Sequence, residues 1–178
     1  MRLLQIVGLG LIALSVSTAL TAQSSSQKAA TAAPVILKPA DITPGLFPDR
    51  VFYAGKTAPT QMRNTGGVQF ADGAYFLAGL VDNSGYSTAV AEKYQAYVLT
   101  EVSLEIAGEK LQPGAYGAGF AGGNFIVTDL GGHDLIRVPA NRDADIKRPV
   151  PLQVTAGPAA GTYRLYHGRD FVGFERAQ

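Results

Sequence analysis

From Arg50 to Gln178, short apolar or alternating runs follow one another, each closed by a cluster of Gly, Asn, Asp or Pro. Punctuation of this kind describes strands and turns. The runs are RVFY, GVQF, AYFLAGLV, YQAYVLTEVSLEI, AYGAGF, NFIVTDL, DLIRV, VPLQV, TYRLYH and DFVGFER. AYFLAGLV is apolar on both faces, which suits a strand buried on both sides. YVLTEVSLEI alternates: Val98, Val102, Leu104 and Ile106 fall on one side, and Glu101, Ser103 and Glu105 on the other. That pattern predicts one half-exposed strand. STAVAEKYQAY is the exception. Ser87 and Thr88 are capping residues and good helix formers follow, so a short helix is expected over 88–94.

Three stretches share Gly-[Ala/Thr]-Tyr, at Gly73, Gly114 and Gly161. The last two continue alike, GAYGAGFAGGNFIV and GTYRLYHGRDFVGF, each a strand, a short turn and a second strand. They predict two hairpins, with turns centred on 121–124 and 167–170, where Gly supplies the positive φ other residues resist. The repeat is too irregular for a propeller or solenoid. The expected fold is all-β: a single β-sandwich-like domain of antiparallel hairpins over 49–178.

Gly117, Gly119 and Gly122 spell G-x-G-x-x-G, the form of a dinucleotide fingerprint. That motif works only where a helix begins at the glycines and its N-terminal N–H groups hold a pyrophosphate. Here Phe125, Ile126, Val127 and Thr128 follow, and these favour a strand. In AYGAGF, Tyr116, Ala118 and Phe120 share one face and Gly117 and Gly119 the other. The bare face lets a strand or a large side chain lie close to the backbone. No nucleotide and no other cofactor is expected.

Ahead of this domain, MRLLQIVGLGLIALSVSTALTAQ has one basic residue, an apolar middle and a small-residue exit. It reads as a signal peptide over 1–22 with cleavage after Ala22, placing the mature protein in the periplasm or outside the cell. No transmembrane span is expected after its removal. The stretch 23–48 is rich in Ser, Ala, Thr and Pro and reads as an extended linker, within which VILK could add an edge strand. Removing the signal takes Arg2 and leaves 14 basic against 14 acidic residues. A nucleic-acid partner needs a positive surplus or a basic patch, and Lys147 with Arg148 is the densest basic spot. Nucleic acid is therefore not an expected partner. There is no cysteine, so disulfides, thiol catalysis, cysteine metal sites and a lipid-anchored N-terminus are excluded.

The residues able to carry chemistry are few. The two histidines are His133 and His167. Asp129, His133 and Asp134 surround a Gly-Gly turn and are the candidate metal ligands; the alternative is a solvated turn in which Asp and His cap backbone groups. Ser84, His133 and a distant Asp would be needed for a serine triad, and no G-x-S-x-G elbow is present. NRDAD resembles the start of a calcium loop, but Ile146 replaces the required Gly and Leu152 the closing Glu, leaving only an irregular site at Asp143 and Asp145. Glu101 and Glu105 would sit roughly 13 Å apart on one strand, too far for a glycosidase pair. Tyrosine offers apolar area with a hydroxyl. Tyr75 and Tyr116 are expected in the core, and Tyr86 and Tyr166 at the surface, where with His167 they are the candidate ligand-binding residues.

LEIAGEKLQPGAYGAGF, FIVTDLGGHD and TYRLYHGRDFVGF resemble the hairpins of small exported bacterial β-domain proteins of no assigned function. The resemblance spans the last two-thirds of the chain, implies fold and export, and carries over no catalytic residue. The expected role is non-catalytic: binding of a partner protein or an envelope component. The alternative is a metal-dependent hydrolase using Asp129, His133 and Asp134.

Overall fold

The computed structural model describes residues 33–178. The signal peptide expected over 1–22, and positions 23–32 of the expected linker, lie outside the described residues. Within them the chain is all-β, in two antiparallel sheets. It runs through β1 (Val35–Leu37), β2 (Arg50–Tyr53), β3 (Lys56–Gln69), β4 (Tyr75–Val81), the short helix α1 (Thr88–Ala91) and β5 (Ala96–Thr100). There follow β6 (Leu104–Ile106), β7 (Glu109–Leu111), β8 (Gly114–Ala121), β9 (Asn124–Thr128) and β10 (Asp134–Pro139). The last elements are β11 (Asn141–Arg142), β12 (Gln153–Ala156), β13 (Thr162–His167) and β14 (Asp170–Arg176). The large sheet has the order β1-β3-β4-β5-β8-β9-β10, with β2 on the first part of β3; the small sheet has the order β12-β13-β14-β6-β7, with β11 on β14.

Tight hairpins set the registers. Gly122 and Gly123 turn β8 into β9 with φ of +58° and +77° and leave Ala121 opposite Asn124. Gly168, at φ +64°, turns β13 into β14 with His167 opposite Asp170. Both expected hairpins are present. Two more turns, Ala54-Gly55 and Ala107-Gly108, place an alanine at positive φ before the glycine. Gly122 thus opens a strand, and the nucleotide-like pattern is a hairpin turn.

The main core lies between the sheets. Phe76, Val98, Ala118 and Val127 of the large sheet meet Leu104, Leu165, Val172 and Phe174 of the small one, and the Phe76 and Phe174 rings lie 4.3 Å apart. A second core covers the other face of the large sheet, where Phe47, Val51, Tyr53, Tyr94 and Tyr97 pack on Leu77 and Val81. β4 is apolar on both faces because it is covered on both.

The glycine face of β8 lies in this second core. A Cβ on Gly117 would meet the Tyr53 ring and come within 2.7 Å of Thr128 Oγ1; one on Gly119 would lie 2.6 Å from the Lys93 carbonyl oxygen. Tyr53 stacks on Tyr94 at 3.8 Å, and its hydroxyl is 2.7 Å from that of Thr128.

Four expectations are corrected. First, 33–48 is part of the domain: β1 pairs with β3, and Leu37, Ile42 and Phe47 are buried in the second core. Second, YVLTEVSLEI is two strands in two sheets. Thr100 Oγ1 donates to the Val102 carbonyl (2.7 Å) and accepts its N–H (3.3 Å), holding a corner, while Glu101 accepts the Tyr75 N–H at 2.9 Å. Val98, Val102, Leu104 and Ile106 still all enter the main core, as expected of a strand that changes sheets without losing its inward phase. Third, the expected short helix is present but spans only Thr88–Ala91, and Ser87 is its N-cap without a side-chain capping bond. Fourth, β3 runs far beyond GVQF, from Lys56, with a register shift between Thr60 and Thr65.

Candidate functional site

The turn between β9 and β10 brings two of the three expected metal ligands together. Asp129 Oδ1 accepts the N–H groups of Gly131 (2.8 Å) and His133 (2.9 Å), and His133 Nδ1 lies 2.9 Å from Asp129 Oδ2. These bonds hold the Asp129 carboxyl below the usual carboxylate range, the His133 backbone N–H contributing most. Asp134 is engaged elsewhere: Lys93 Nζ and Arg137 each donate to it at 2.8 Å. Those two cations lower its pKa. Among the described residues no group of three His, Asp or Glu side chains is arranged to hold a metal ion. The Asp129–His133 pair is the capped, solvated turn.

The other acidic and hydroxyl candidates are likewise bonded. Asp143 accepts the Tyr166 hydroxyl (3.0 Å) and the Asp145 N–H (3.0 Å). Ser84 donates its N–H to Asp82, while the imidazole of His133 is held by Asp129.

Of the three expected ligand-binding residues, Tyr166 is not at the surface where it was expected. It is 3% exposed, with its ring 5.0 Å from that of Phe171 and its hydroxyl tied to Asp143. Tyr163 and Leu165 of β13 belong to the main core, while Tyr166 is packed on Phe171 and tied to Asp143. Tyr86 is half-buried. Its hydroxyl donates to the carbonyls of Tyr53 (3.0 Å) and Lys56 (3.2 Å), clamping the β2–β3 turn. Tyr75 and Tyr116, expected in the core, are half-buried, with hydroxyls bonded to Gln69 and to the Gln112 carbonyl.

Tyr86 and His167 do meet at one place, a shallow groove of about 480 Å³ between α1 and the end of β13 that Asn83, Glu92 and Gln95 also line. The His167 ring stacks on Phe120 at 6.1 Å, bridging the two sheets. Burial holds its pKa below the ordinary histidine value of 6.5, with Asp170 acting in the opposite direction.

The unfolded chain takes up a proton on His167 near pH 6.5 that the folded chain accepts only at lower pH. Stability is therefore full above that value and declines as pH falls from about 6.5 through the lower folded value. In denaturant melts at pH 7.5 and 5, His167→Phe, which keeps the ring stack, is expected to lose less stability on acidification than the wild type. Equal losses would remove His167 as the cause.

A larger hollow lies elsewhere, between the edge strands β1 and β12. It is a cleft of about 560 Å³ whose apolar lining includes Ile36, Leu37, Val150, Leu152 and Val154, with Lys38 and Arg63 as its charged residues. Gly66 admits the β12 backbone here: a Cβ at that position would come 3.1 Å from the Val154 N. No protein family, curated protein or solved structure matches this chain. The cleft is not legible in the sequence because one wall belongs to the proline-rich stretch before Arg50 and the other to VPLQV, at 150–154, far along the chain. The only signal was VILK, read as a strand edge.

Proposed function

We propose that this protein is an exported, non-catalytic β-sandwich protein that binds a partner protein or envelope component. The observation that carries the reading is the apolar cleft between β1 and β12. Ligand sites are typically concave and mostly apolar, with a few placed polar groups. The acid, base and hydroxyl candidates support it from the other side. Asp129, Asp134, Asp143, Tyr86 and Tyr166 are each bonded within the fold. Export rests on the leader pattern over 1–22. No helix among the described residues is long and apolar enough to cross a membrane.

Fractionation of cells expressing the full chain tests export, and mass analysis of the product tests cleavage. The expected result is a mature protein starting at Gln23, in the periplasm or the medium. Unprocessed chain retained in the cytoplasm would defeat the export half. Stoichiometric zinc in the purified protein, lost in His133→Ala, would defeat the non-catalytic half and restore the hydrolase alternative.

A further inference from the structure

We propose that the cleft between β1 and β12 binds a single-chain amphiphilic anion of the fatty-carboxylate class, its tail along the apolar wall and its head at Lys38 and Arg63. Four observations converge on this.

The first is charge. Lys38 and Arg63 line the cleft and no carboxylate does, although the mature chain is balanced at 14 basic and 14 acidic residues. Neither side chain takes part in an ion pair among the described residues. The nearest acid in sequence, Asp41, accepts the backbone N–H of Lys38 at 2.9 Å.

The second is placement. Leu37 pairs with Gly67, so the antiparallel register carries Lys38 past Gly66 toward Thr65 and Arg63. Both cations line this one cleft, so an anion bound in it has two donors available.

The third is the apolar surface left uncovered. Val150 lines the cleft at 42% exposed, and Val35, on β1, is 50% exposed. Two of the four exposed large apolar residues of the described chain thus lie at this edge. An apolar tail would cover Val150.

The fourth is size and shape. The volume of about 560 Å³ lies within the range that encloses one small ligand. The walls are the strand segments 36–37 and 153–156 with the proline-containing stretch 150–152, whose side chains are mostly apolar.

The inference rests on the binding-protein reading above. Failure of export would touch that reading alone, and failure of the ligand experiment would touch the ligand class alone.

The test is calorimetric titration of the mature protein with decanoate below its micelle threshold, with 1-decanol as the uncharged control of equal chain length. Decanoate is expected to saturate at one per chain and to bind about tenfold or more tighter than decanol. The double variant Lys38→Ala/Arg63→Ala should lose that advantage, so that decanoate and decanol bind with similar affinity. Both positions are exposed, so the melting temperature should not move. Ala156→Trp, at an exposed lining position, should block both ligands. No saturable decanoate binding by the folded wild type, equal affinity for the two ligands, or an unaffected double variant would each overturn the proposal.

Discussion

Gly119→Ala is expected to destabilise the fold by about 3 kcal/mol, the upper part of the usual range for overpacking. The new Cβ would stand 2.6 Å from the Lys93 carbonyl oxygen and 2.8 Å from its carbon. These are backbone atoms and cannot swing aside. The segment bearing them is fixed from both ends: Tyr94 N–H donates to Val90, Gln95 N–H donates to Ala118, and the Gln95 side chain brackets Phe120 with bonds of 3.1 and 3.0 Å. Gly117→Ala should behave alike, because Tyr53 is held in its stack with Tyr94 and Thr128 Oγ1 lies 2.7 Å from the added atom. Gly122→Ala is the control. Its φ is +58° but nothing stands within 4 Å of an added Cβ, so the penalty is that of a left-handed alanine, about 1–2 kcal/mol. Urea unfolding of the three variants gives the ranking. A larger loss at Gly122 than at Gly119 would mean that the glycines serve the turn and that the close packing on β8 is inconsequential.

Those glycines also show how far the sequence could be read. Alternation put Tyr116, Ala118 and Phe120 on one face and the bare positions on the other, and local pattern was enough because a strand's faces follow from its period of two. What lies against the bare face is a long-range matter: Tyr53 and Lys93 arrive from β2 and from the end of α1. The hairpins at 121–124 and 167–170 were legible for the same local reason. The corner at Thr100–Val102 was not, since the inward phase of Val98, Val102, Leu104 and Ile106 continues unbroken while the backbone leaves one sheet for the other. Tyr166 and the β1–β12 cleft were hidden because each is completed by a segment far away in the chain. Asp134 illustrates the limit for chemistry: its neighbour His133 suggested a ligand pair, and only the folded chain brings Lys93 to it.

Phe47→Ala is expected to cost about 3–5 kcal/mol, the range for emptying a large aromatic site. Composition argues against this, since Phe47 sits in a proline-rich stretch, TPGLFP, of the kind that spaces domains. Packing argues for it. Phe47 has no exposed surface, meets the Tyr97 ring edge-on at 6.5 Å, and occupies the space above Gly79, where an added Cβ would lie 2.7 Å from its ring. The missing side chain at Gly79 and the ring of Phe47 are two halves of one contact, so the strand and the proline-rich segment are matched to each other. The loop is also tethered on both sides of the ring. Phe47 N–H donates to the Thr43 carbonyl at 3.0 Å, and the Thr60 hydroxyl to the Pro48 carbonyl at 2.6 Å. With the loop so held, the cavity left by alanine could not collapse, which is the condition for a cost at the high end. Val35→Ala, at an exposed position twelve residues earlier, should stay within about 0.5 kcal/mol. A chain beginning at Arg50 should fail to fold, because it removes Leu37, Ile42 and Phe47 from the second core together. Chemical denaturation of the two point variants and a folding assay on the shortened chain test this. A loss below about 1 kcal/mol for Phe47→Ala would return the segment to the role of a tether and detach the β1 wall from the cleft.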